Sequence, residues 1–176
     1  MPSILKHLAG GDRRSIGRSN EIAEEVLKRP VRIGELFSGL SHFDAVVRMR
    51  AADALEKASV RRPELLQPYR LKLLAIAGSS EQQEVRWHAA LMIPRLKLTV
   101  KDRAVAVDIL FDYLRDRSSI VKTCAMRGLA NLVCLEHSLA ARILPRLEEL
   151  TQTGTPAMRA QGRKLLQELN RQRAKA

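Results

Sequence analysis

Apolar residues recur along the chain in a four-part pattern: an apolar residue, a base, a small residue three positions after the base, and an apolar residue four further on. The pattern stands at Val47, Arg48, Ala51 and Leu55, then at Val85, Arg86, Ala89 and Ile93. It returns at Val121, Lys122, Ala125 and Leu129, and again at Met158, Arg159, Gly162 and Leu166. Successive copies begin 38, 36 and 37 residues apart. Positions i, i+4 and i+8 share one face of an α-helix, so each copy predicts an amphipathic helix. The small middle residue leaves room for a second backbone. A helically spaced apolar segment precedes each copy: Leu36, Phe37 and Leu40, then 65–76, 104–114 and 139–150. The predicted unit is helix, turn, helix, about 37 residues long.

Punctuation residues fit this division. Thr155 followed by Pro156 reads as an N-cap with proline in the first helical position, and Pro63 suits a first turn. Ser80 with Gln83 predicts a capping box, and Gly78, Ser79 and Ser80 predict the turn before it. Pro68 and Pro94 fall inside apolar stretches and are expected to interrupt their helices.

The residues Val47-Arg48, Val85-Arg86 and Val121-Lys122, with the small Ala51, Ala89 and Ala125, make the chain resemble a HEAT-repeat protein of the armadillo-like class. The resemblance implies an all-α, right-handed α–α superhelix, a HEAT-like solenoid. It covers residues 31–176 as four repeats in a single domain, with 1–30 as an N-terminal capping region around a helix at 21–28. HEAT units commonly carry an aspartate in the turn that pairs with the base of a neighbouring unit. Here Asp44 and Asp116 stand at different offsets and the segment 153–156 holds no acid. An incomplete ladder is expected, with some bases left without partners.

Charge changes the picture further. The chain has 176 residues, 31 Lys and Arg against 19 Asp and Glu, and a formal net charge of +12. The four second helices, 47–60, 85–98, 121–134 and 158–173, hold thirteen bases and only three acids, Asp53, Glu56 and Glu168. In HEAT-like stacks these helices line the concave surface, so the resemblance implies a basic stripe inside the curve, about 30–40 Å long at ordinary helix spacing. Such a stripe suits an acidic or helical protein segment, or a phosphate backbone bound without regard to sequence. Arg48, Arg86, Lys122 and Arg159 hold one repeat position and are expected to pack between repeats. Arg50, Arg95, Arg127, Arg163 and Lys164 flank the apolar stripe and are the candidate partner-binding residues, together with Trp87 and His88. Trp87 has two readings, a packing residue between units or an exposed ring that stacks on a base or grips a peptide. Residues 158–175 read either as a polar end cap or as a basic contact arm.

The chemistry of catalysis is sparse. His7, His42, His88 and His137 occur singly, with no paired spacing that suits a metal, and no phosphate loop or nucleophile elbow appears. Asp108, Asp112 and Asp116 form an i, i+4, i+8 stripe read as solvated. Some HEAT-like proteins are alkylpurine DNA glycosylases. That reading is the least favoured, because this chain is 3% aromatic and has no acid between Glu84 and Asp102. The expectation is a non-enzymatic scaffold without catalytic residues, metal or cofactor. No apolar run reaches the roughly 20 residues that cross a bilayer, and Cys124 and Cys134, about 15 Å apart on one helix, are too distant to bridge. A cytoplasmic protein is expected.

Overall fold

The computed structural model describes residues 3–174, and they contain helices and connecting turns without a β-strand. Nine α-helices follow one another among the described residues: α1 (Ser19–Lys28), α2 (Ile33–Gly39), α3 (Ala45–Arg61), α4 (Arg70–Ser79), α5 (Gln83–Met92), α6 (Val100–Tyr113), α7 (Ser119–Leu135), α8 (Ala140–Thr153) and α9 (Pro156–Arg173). The odd-numbered helices pack in sequence order, α1 on α3, α3 on α5, α5 on α7 and α7 on α9. Each even helix from α2 to α8 lies against the odd helix that follows it. No helix among the described residues is long and apolar enough to cross a membrane.

The repeated pattern has a physical meaning in this packing. Val47, Ala51, Leu55, Val85, Ala89, Ile93, Val121, Ala125 and Leu129 are all buried, and so is Met158. The small residue sits where two helices meet: a Cβ added at Gly39 on α2 would lie 2.7 Å from the Ala51 Cβ. At the fourth copy, Gly162 of α9 faces Thr151 of α8 in the same way. Gly128 on α7 meets backbone, and its added Cβ would lie 2.6 Å from the Ala90 carbonyl oxygen on α5. A side chain at these positions forces the layers apart.

Helix ends follow the local chemistry. Side chains of Asp44, Thr99, Ser118 and Thr155 accept first-turn N–H bonds at the starts of α3, α6, α7 and α9, and Pro156 occupies the first helical position of α9. Pro68 lies in a 3-10 segment, Pro63–Tyr69, ahead of α4, and Pro94 ends α5 in a 3-10 turn, Ile93–Arg95. The expected capping box at Ser80 does not form. Ser80 instead accepts from the Gln82 N–H, and α5 begins after Gln82, whose side chain makes no cap.

Candidate partner-binding surface

The repeat-position bases hold the turns together. Arg48 donates to the His42 and Phe43 carbonyls of its own turn (2.6 and 2.9 Å) and to Gln82 Oε1 in the next (2.7 Å). Arg86 repeats the geometry, with Nε on the Ser80 carbonyl (2.6 Å) and Nη1 on Asp116 (2.8 Å). Arg159 reaches the Gly154 carbonyl (3.0 Å). An own-turn carbonyl five or six residues back recurs in three copies, and a side chain of the following turn in two. For Lys122 no such bond is made among the described residues, in keeping with the acid-free segment 153–156 that follows it.

The candidate binding bases separate into two groups. Arg50 is only 4% exposed. Its guanidinium donates to the backbone carbonyls of Leu8 (2.8 Å), Gly10 (2.6 Å), Asp12 (3.2 Å) and Ser15 (3.0 Å). The loop 8–18 is thereby wrapped around a side chain of α3, and a partner has no access to it. Positive φ angles at Gly10, Gly11 and Gly17 turn the carbonyls inward, and a Cβ at Gly17 would stand 2.7 Å from the Arg50 Cζ. Arg95 is likewise engaged, with Glu56 (2.5 Å), the Glu56 carbonyl (2.9 Å) and the Ser59 hydroxyl (2.6 Å) on α3. Arg127 on α7 pairs with Glu168 on α9. Arg163 and Lys164 on α9 are exposed and make no ion pair among the described residues. Arg173 side-chain contacts lie outside what the structure describes.

Trp87 is partly buried and packs against the core, which favours the packing reading. Its ring centroid is 5.6 Å from that of His88. His88 faces α3, with Nε2 3.8 Å from Asp53 Oδ1, while Asp53 Oδ2 accepts from the Ser19 hydroxyl and from Lys57 Nζ (2.6 Å). Burial holds the imidazole below its ordinary pKa of 6.5, against the pull of Asp53, Glu56 and Glu84. The serine hydroxyl is bonded to the aspartate and not to the imidazole. This cluster therefore lacks the order of a nucleophile activated by a base. No group of three His, Cys, Asp or Glu side chains converges as a metal site among the described residues.

The expected solvated aspartate stripe is partly consumed, and its last member, Asp116, lies in the turn after α6. Asp108 pairs with Arg142 (2.5 Å) and Asp116 with Arg86. Arg115 and Arg117 beside Asp116 are exposed and make no ion pair among the described residues. Both cysteines lie on α7 and are free, and burial pushes the Cys124 thiol up to about 11. Sequence reasoning missed the Arg50 loop, although the glycines at 10, 11 and 17 were its signal. Matched against models of known protein families and against curated proteins, the chain finds no counterpart.

Proposed function

We propose that the chain is a non-enzymatic, cytoplasmic scaffold, a right-handed superhelix of four HEAT-like repeats that docks an acidic helical segment of a protein partner. The serial packing of odd helices and the repeated arginine geometry between turns support the repeat architecture. The observation that carries the function is the uneven use of cations. On α3, α5 and the 3-10 turn that follows α5, Arg48, Arg50, Lys57, Arg86 and Arg95 are taken up by carbonyls, amides and carboxylates of the chain itself. On α9, Arg163, Lys164 and Arg171 remain exposed without an ion pair among the described residues.

Arg163, Gln167 and Arg171 stand at i, i+4 and i+8, a stripe about 12 Å long. An acidic helix with carboxylates at the same spacing matches it. So short a run of free cations neutralises few phosphates, which favours an acidic protein segment over a nucleic-acid backbone. The test is a titration of a labelled glutamate-rich helical peptide and of a 20-bp duplex at two salt concentrations, with wild type and Arg163→Glu/Lys164→Glu. Peptide binding that weakens in the double variant supports the reading. Duplex binding with a steep salt slope and no peptide binding contradicts it.

A further inference from the structure

A cleft of about 650 Å³ opens between the turn that joins α4 to α5 and the turn that joins α6 to α7. Four arginines line it from three parts of the chain: Arg13 from the loop 8–18, Arg86 from α5, and Arg115 and Arg117 from the later turn. We infer that this cleft is a second docking point, which takes the side-chain carboxylates of an acidic peptide segment. The inference rests on the proposed scaffold reading and adds a site to it.

The arginines differ in how they are held. Arg86 is fixed by the Ser80 carbonyl and Asp116, with its guanidinium 5.1 Å from the Tyr113 ring centre. Arg115 and Arg117 are exposed and make no ion pair among the described residues. Arg13 meets Glu84 only loosely, at 3.7 Å, and is itself more than half exposed. Arg115 and Arg117 are thus free to fork onto carboxylates, and the planar arginine head suits that geometry better than an ammonium, while Arg13 stays on the wall beside the buried Glu84. The start of α5 already holds a carboxylate of the chain itself, Glu84, buried in the first turn. Gln82 leaves the first-turn N–H groups without a side-chain acceptor, because its own amide serves Arg48 and the Ala45 carbonyl (2.9 Å). Glu81 also lines the cleft and repels anions at that rim, so carboxylates gather toward Arg115 and Arg117.

Arg50 has a positioning role here. Its four bonds to the loop 8–18 carry Arg13 to the cleft wall. A bound peptide that engages Arg13 holds the loop down and shields the bond after Arg13 from protease.

The experiment uses the full chain with a fluorescein-labelled hexaglutamate peptide and, separately, pyrophosphate. Expected are a roughly tenfold loss of peptide affinity in Arg115→Glu/Arg117→Glu, and trypsin protection at Arg13 by peptide in wild type but not in that variant. Circular dichroism checks the fold, and Arg115→Ala/Arg117→Ala serves if charge reversal disturbs it. Unchanged affinity in both cleft variants, with binding lost in Arg163→Glu/Lys164→Glu, overturns the cleft and leaves the scaffold reading intact. No peptide binding by wild type overturns both. Pyrophosphate binding that needs Arg115 and Arg117 while peptide binding does not overturns the peptide assignment.

Discussion

Replacing Arg50 by Met keeps the aliphatic stem and removes the guanidinium that organises the loop 8–18. Four hydrogen bonds from a charged donor disappear, each worth about 1.5–3 kcal/mol before compensation. Compensation is uneven. The bond to the Leu8 carbonyl is buried, so that acceptor is left without a partner at a cost of about 1–3 kcal/mol. The Gly10, Asp12 and Ser15 carbonyls belong to an exposed loop and regain water when it opens. Methionine also relieves the chain of burying a cation that makes no ion pair among the described residues. The balance is a loss of about 2–4 kcal/mol, concentrated at the N-terminal end of the fold. Urea unfolding gives the stability change, and limited trypsin digestion with mass spectrometry follows cleavage after Arg13, Arg14 and Arg18. Lysine at position 50 is expected to fall between wild type and Met, since an ammonium has three donors and a shorter reach. An Arg50→Met protein with an unchanged urea midpoint and unchanged loop cleavage would refute the reasoning.

Three further outcomes follow from particular contacts. Gly128→Ala is expected to destabilise by about 1–3 kcal/mol, because its Cβ meets the Ala90 carbonyl oxygen and Leu110; thermal unfolding at wild-type Tm would contradict the close approach of α5 and α7. His88 is held below its ordinary 6.5 by burial, so the unfolded chain takes up a proton that the folded chain resists, and stability falls as pH drops below that value. Urea midpoints for wild type should decline from about pH 7 to 5 more steeply than those of His88→Gln, and a steeper decline in the variant would reverse the sign. Ellman's reagent at neutral pH should modify the exposed Cys134 well before the half-buried Cys124, whose thiol sits near 11, and equal rates would count against that burial.

The helices were legible because each repeat must bury one face, and burial writes the same spacing four times. Val47, Ala51 and Leu55 show it, and so do their counterparts at 85–93 and 121–129. The role of Arg48 and Arg86 was legible for the same reason, since these two bases, fixed in register, each reach their own turn and the next. The destination of the other charges was not. Arg50 lies only two residues after Arg48, and nothing in helical spacing announces that a loop 35 to 42 residues upstream closes over it. Arg95 and Arg127 meet Glu56 and Glu168 across helix pairs, contacts 39 and 41 residues apart in the chain. A formal charge count treats each base as free, whereas packing decides which acid or carbonyl stands within reach. The expected continuous basic stripe is therefore interrupted on α3 and α5. The Ser80 capping box failed for a local reason: Ser80 bonds the Gln82 N–H and the helix starts two residues later than a box requires.

The most direct test of the scaffold reading is hydrogen–deuterium exchange of the full chain with and without a glutamate-rich helical peptide. The account predicts protection confined to the exposed stripe of α9, the adjoining α7, the two turns that flank the arginine cleft and the loop 8–18. Protection centred on α1 and α3, where the cations are already engaged, or no protection at a saturating peptide concentration, would contradict it.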